Sequence, residues 1–310
     1  MPGLSDKRLL FVTGKGGVGK TTVATALGIA AARRGLRTIV AELSGQDRVA
    51  TTFGRAATQP GVEIPVAEHL FSISIDVPRA MDEYLHERAG LVGDRLASLG
   101  AFQAFAAATP GMRELLSVGK VWELAQDARR VEGTDPYDLV IVDAPASGHG
   151  LGALRAPRTF AEIARVGPIA HQGRTIDATL RDPSQTGVVA VALPEEMPVT
   201  ETLALHEALR DEMGIELAAL IANAVVPDRL GPRQARTVAD ALARAEEPSP
   251  VHAALRAALS EHARATTQHE QLVRLAEGAG REPHRLPYVV APAIDRTVLE
   301  GLASELEELL

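Results

Sequence analysis

The sequence predicts a doubly wound α/β fold, in which a mostly parallel sheet is covered by helices on both faces. Three observations carry this. Near the amino terminus, the apolar run Leu9-Leu10-Phe11-Val12 leads through Gly14-Lys15-Gly16-Gly17-Val18-Gly19-Lys20-Thr21-Thr22 into the helix-like stretch from Val23 to Ala32. That order is strand, glycine-rich loop, helix. Short apolar runs then alternate with amphipathic helical stretches, the pattern of a sheet buried on both sides. Finally, Asp143 follows directly on the apolar run Leu139-Val140-Ile141-Val142.

The loop comes first. Glycines at 14, 16, 17 and 19 let consecutive backbone N–H groups turn toward an anion where a side chain would obstruct. Lys20 extends a positive charge toward β- and γ-phosphates, Thr21 offers a hydroxyl to Mg²⁺, and the following helix adds its positive end. Residues 14–22 therefore read as a phosphate cradle. The bland alternative, a glycine-rich turn that binds nothing, is disfavoured by the strand before and the helix after. Further strands are expected at Arg37–Ala41, Leu70–Ile75, Leu139–Val142, Gly187–Leu193, Leu217–Ala222 and near Tyr288-Val289-Val290. No segment repeats at a fixed period, so one chain carries one loop and a face-to-face site needs two chains.

Residues 1–310 read as a single domain with a helical insertion subdomain at 78–132, extended by helices over roughly 159–185. The insertion includes Met81, Leu85, Leu91, Leu96, Leu99, Phe102, Phe105, Met112, Leu115, Leu116, Val121 and Trp122. Such spacing fits either a client groove or a helix packed on its own core. An adaptable apolar groove usually relies on methionine, and the chain has only 5. Farther on, Thr200 is expected to cap a helix opening near Glu195. The stretch Val251–Glu277 reads as an exposed helix in which His262 and His269 are solvated, and Leu299–Leu310 as an amphipathic terminal helix.

Composition narrows the function classes. With 46% hydrophobic, 23% charged and 3% aromatic residues, the chain can bury a large aliphatic core. The sequence lacks both a long uninterrupted apolar run and a basic-then-apolar start, so a cytoplasmic location is expected. Zero cysteines exclude disulfides, iron–sulfur ligation and thiolate metal sites. A net charge of −8 argues against a nonspecific grip on nucleic acid, although that speaks only for the average over the surface.

The second lysine of the loop, Lys15, is not required by an ordinary phosphate loop. The form GKGGVGKT resembles the signature of the deviant Walker A ATPases, the family of MinD, ParA, nitrogenase iron protein, the arsenite-pump ATPase ArsA and the tail-anchored-protein targeting ATPase. The string Asp143-Ala144-Pro145-Ala146-Ser147-Gly148-His149-Gly150 resembles the switch II of the arsenite-pump and targeting ATPases more closely than that of MinD or ParA. Pro110-Gly111-Met112-Arg113-Glu114 is similar to a motif of the client-binding region in the targeting ATPases.

This resemblance implies a P-loop fold of the SIMIBI type, ATP and Mg²⁺ as ligands, and a homodimer or a heterodimer with a paralogue. Lys15 would cross to the partner's nucleotide, a role similar to that of an arginine finger, which is worth about 10³–10⁵ in rate. Its alternative is a solvated loop lysine. Asp143 would hold Mg²⁺ with Thr21, and Gly148 would meet the γ-phosphate. Asn223 and Pro287 would flank adenine, though a turn-forming asparagine is equally consistent.

The resemblance breaks at switch I, where Ser44 occupies the position of the family's water-orienting aspartate. Serine cannot serve as a carboxylate base. Glu42 and Asp47 are the substitutes, and Asp47 is slightly favoured. Without cysteine, neither metalloid handling nor a zinc clasp carries over. The expected activity is a Mg²⁺-dependent dimeric ATPase acting on an unidentified protein client, with membrane association, if any, through a partner. The alternatives are a catalytically weak nucleotide-binding subunit beside an active homologue, and a positioning ATPase of the MinD or ParA kind.

Overall fold

The computed structural model describes residues 3–55, 59–83, 111–129 and 134–310. Among them, eight strands form one sheet: β1 (Leu9–Thr13), β2 (Thr38–Glu42), β3 (Ile64–Ala67), β4 (Leu70–Ser74), β5 (Leu139–Asp143), β6 (Thr186–Ala192), β7 (Leu217–Val225) and β8 (His284–Pro287). Their spatial order is β3-β4-β2-β5-β1-β6-β7-β8, parallel throughout except for β3, which runs antiparallel to β4 at the edge. Every residue of β1, β2, β5 and β6 is buried, which explains why these segments read as unbroken apolar runs.

Besides a helical stretch over 77–83, the described α-helices are α1 (Lys20–Arg33), α2 (Arg48–Thr52), α3 (Met112–Leu124), α4 (Ser147–Ala164), α5 (Pro168–Arg181), α6 (Glu196–Ala208), α7 (Pro232–Leu242), α8 (Pro250–Ala279) and α9 (Arg296–Leu306). Strand side chains alternate between two cores, as a pleated backbone requires. Leu10, Val12, Val40, Ile141 and Val191 face α1, α2 and α9. Leu9, Phe11, Ile39, Val140 and Val142 face α3, α4, α5 and α6. The sheet is thus covered on both faces, the doubly wound α/β fold expected from the sequence.

At Gly28, α1 packs tightly on the sheet. A Cβ there would lie 2.8 Å from Val40 and 3.1 Å from Leu70. The helix that leaves the glycine-rich loop is therefore seated tightly on its strands, and α9 holds it from the other side through Leu299, Leu302 and Leu306.

The described residues of the insertion are 78–83, which are helical, and 111–129, which contain α3, capped at Gly111 by a left-handed backbone with φ 80°. Arg129, which follows α3, binds Glu63 at the edge of the sheet at 2.5 Å and Glu123 at 3.2 Å, and the Tyr137 hydroxyl donates to Glu63 at 2.7 Å. Burial and the neighbouring Glu63 charge push the Tyr137 phenol above its usual range, keeping it a donor. These pairs fasten α3 to the sheet edge. Leu85, Leu91, Leu96, Leu99, Phe102, Phe105 and Pro110 lie outside the described residues.

Five details differ from the sequence reading, the first being the edge strand β3, which lies outside the expected strands. The last strand is His284–Pro287, with only Leu286 in the core, so the apolar run after it was misleading. Thr200 lies inside α6, where its hydroxyl donates to the Glu196 carbonyl at 2.8 Å, and the cap position is Glu195. The helix α8 is not exposed all round, since Ala265, Gln268, Leu272 and Leu275 are buried. Residue 159 falls within α4, which begins at Ser147 directly after switch II.

Candidate nucleotide site

The glycine-rich loop leaves β1 at the carboxyl end of the sheet's centre, flanked by β5 and β6. Gly14 has φ 148°, and a Cβ there would strike the Val191 carbonyl of β6. Gly19 has φ 91°, and a Cβ would strike the Asn223 amide. Both positions need glycine for conformation and for space. Gly16 faces Ala146, with 3.9 Å between its ideal Cβ and the alanine methyl, so the loop adjoins the segment after β5. Thr22 and Thr21 stand in the first turn of α1, and Val18 is buried in the core beneath the loop.

Thr21 donates its hydroxyl to Asp143 Oδ2 at 2.5 Å, and Asp143 Oδ1 is buried without a hydrogen-bond partner. Burial raises the Asp143 carboxyl above its ordinary value, against the lowering effects of Thr21, Lys20 and Arg48. Lys20 Nζ donates to the Lys15 carbonyl at 2.9 Å. Its pKa is lowered, chiefly by burial, with Asp143 acting in the opposite sense. A hydroxyl and an orphaned carboxylate oxygen at the end of a buried strand form a hard-oxygen donor set suited to Mg²⁺. The cradle of backbone N–H groups and Lys20 is suited to phosphate.

Glu42 pairs in register with Asp143 across β2 and β5, yet it is fully buried. Its two oxygens accept the Arg48 and Val49 amides at 2.9 and 3.2 Å, so it caps α2 from within. Burial raises its pKa as well. Asp47 starts α2 in a left-handed conformation, φ 48°, makes no capping bond with its side chain and is half-buried. Ser44 is exposed. Of the two substitute acids, Asp47 is the one whose carboxylate is not occupied by backbone amides.

Lys15 turns to its own chain: Nζ meets Glu201 Oε1 of α6 at 2.7 Å and Met197 Sδ at 3.4 Å. Asn223 uses both ends of its amide internally, donating to the Val18 carbonyl at 2.9 Å and accepting the Ala224 N–H at 2.9 Å. It braces the loop. Pro287, the last residue of β8, pairs with Val225 of β7, so Asn223 and Pro287 lie on adjacent strands at one edge of the site. Gly148, exposed in the first turn of α4, has open space around it. Two site residues carry no signal of their own in the sequence: Glu201, and Arg48, whose charge acts on both Asp143 and Lys20. The only sequence signal for Arg48 was its place beside Asp47.

A profile of the anion-transporting ATPase family (ArsA) matches residues 7–171 and 162–237 of the chain. ATPase BagA of Mycobacterium tuberculosis is 31% identical over 245 residues, spanning 76% of this chain and 71% of the relative. A putative arsenical pump-driving ATPase of Halobacterium salinarum is 28% identical over 74% of this chain, but only 37% of that longer protein is covered. An ATPase ASNA1 homolog of Entamoeba dispar is 25% identical, with 70% of this chain and 76% of the relative covered.

Proposed function

The chain belongs to the ArsA-like family of anion-transporting ATPases, and from that premise we propose that it binds and hydrolyses Mg²⁺-ATP as a dimer. Nucleotide-driven changes in shape would be passed to a protein client. The observation that carries this reading is the Thr21–Asp143 pair beneath the glycine cradle, with Asp143 Oδ1 buried and free of a partner. Thr21 and Asp143 would hold the metal, which when bound offsets negative charge on the phosphates. Lys20 and the backbone N–H groups of residues 14–22 bind and orient the triphosphate. Asp47 orients the attacking water in place of the aspartate that Ser44 replaces, and Gly148 meets the terminal phosphate.

Lys15 serves the partner's nucleotide. To do so it must leave Glu201, and a partly exposed ion pair of this kind is worth at most about 1 kcal/mol. An arginine-finger-like contribution of about 10³–10⁵ corresponds to roughly 4–7 kcal/mol, so the internal pair is a weak restraint. Likewise, Asn223 reads adenine only by exchanging its internal bonds.

A second reading, a nucleotide-binding subunit with little turnover of its own, is favoured by Ser44 and by the burial of Glu42. One experiment separates the two: ATP binding and turnover measured side by side for wild type, Lys20→Ala and Asp47→Asn. The ATPase reading expects Lys20→Ala to lose binding, and Asp47→Asn to keep binding while losing at least about a hundredfold in rate. Tight binding with no turnover in the wild type supports the second reading instead.

A further inference from the structure

Toward the carboxyl end of α4, away from its start at switch II, α4 and α5 form an antiparallel hairpin with a cleft of about 620 Å³ along it. Two rows of charge face each other there: Arg158, Glu162 and Arg165 from the α4 side, and Arg174, Asp177 and Arg181 from α5. Arg158 is paired with Glu162 at 2.9 Å, and Arg181 with Asp177 at 3.1 Å. Among the described residues no carboxylate pairs with Arg165 or Arg174. The Arg174 guanidinium donates to the Arg165 carbonyl, which holds both arginines at the tip of the hairpin. With four arginines and only two carboxylates lining it, the cleft carries an excess of positive charge in a chain of net charge −8, which points to an anionic ligand.

The same tip exposes two large apolar side chains, Ile163 at 71% and Val166 at 82%. A free oxyanion would use the guanidiniums but gain nothing from these neighbours. A lipid surface uses both, since phosphate headgroups meet the arginines while aliphatic side chains enter the acyl boundary. The hairpin is also tightly packed: α5 approaches α4 so closely at Gly173 that a Cβ there would lie 2.6 Å from the Pro157 carbonyl. We propose that the α4–α5 tip is a direct docking site for an anionic lipid surface, with Arg165 and Arg174 binding headgroup phosphates and Ile163 and Val166 inserting beside them. This stands independently of the ATPase reading.

The experiment is co-sedimentation of the full chain with vesicles of phosphatidylcholine, with and without phosphatidylglycerol, over a range of salt. Binding is expected only to the anionic vesicles and should fall steeply as salt rises. The double variant Arg165→Gln/Arg174→Gln should bind about 30-fold more weakly, and Ile163→Ser/Val166→Ser about tenfold more weakly. Circular dichroism and thermal melts of each variant establish that it is folded. No binding by the wild type, or equal binding by wild type and both folded variants, overturns the proposal. Full displacement by inorganic phosphate at matched ionic strength, with no effect of the apolar changes, assigns the arginines to a free oxyanion instead. Binding of a polyglutamate peptide without vesicle binding assigns them to an acidic protein segment.

Discussion

The residues of the nucleotide site hold charge that the fold alone does not satisfy. Asp143 is buried with one oxygen orphaned, and its pKa lies above the ordinary carboxylate value because burial disfavours the ion. An acid whose folded pKa is raised adds stability that is fully present below its unfolded pKa. It loses that stability as pH climbs through the folded value. Asp143→Asn should therefore stabilise the nucleotide-free protein at neutral pH by on the order of 1 kcal/mol while abolishing Mg²⁺-dependent turnover. Chemical denaturation at neutral and acid pH checks this, and the gain should shrink as pH falls toward the ordinary carboxylate range. Lys15 and Glu201 make a contrasting pair. Glu201→Gln should alter turnover by less than about fivefold, the scale of a partly exposed ion pair. Lys15→Ala should lower it by at least about a thousandfold, and steady-state assays of both variants decide between a weak restraint and a required partner.

At the scale of elements, local chemistry was legible and long-range contact was not. The strand, loop and helix from Leu9 to Arg33 could be read because every signal lies within a few residues: the buried run, the glycines, the lysine and threonine at the helix start. The strand β3 was missed because it is a four-residue edge strand containing Pro65, which interrupts any strand pattern. The strand β8 was displaced because it presents His284 and Arg285 at the sheet's margin, and only Leu286 is buried. Glu201 was passed over because an acid on a helix normally means solvation, and its partner lies 186 residues away in the chain. Glu42 looked available as a base, but the backbone amides that occupy it belong to a turn whose path the sequence did not specify.

Tight helix approach sets another limit at this scale. Gly173→Ala would place a methyl 2.6 Å from the Pro157 carbonyl and 3.1 Å from Ala161. It should cost about 1–3 kcal/mol as α5 is forced away from α4, read as a lower midpoint in chemical denaturation.

The whole molecule is one doubly wound sheet with its nucleotide loop at the centre and charge gathered at the carboxyl ends of β1, β2 and β5. The chain carries a single phosphate loop, and its second loop lysine is paired with an acid of its own α6. In our account that lysine does its chemistry on another chain, which makes activity a property of the pair. Among the described residues no helix is long and apolar enough to cross a membrane. The measurement that tests this most directly is Mg²⁺-ATP turnover per chain across protein concentrations spanning dimerisation, for wild type and Lys15→Ala. The account predicts a specific rate that rises with concentration and is lost in Lys15→Ala while ATP binding persists. A specific rate independent of concentration, or turnover that survives in Lys15→Ala, would contradict it.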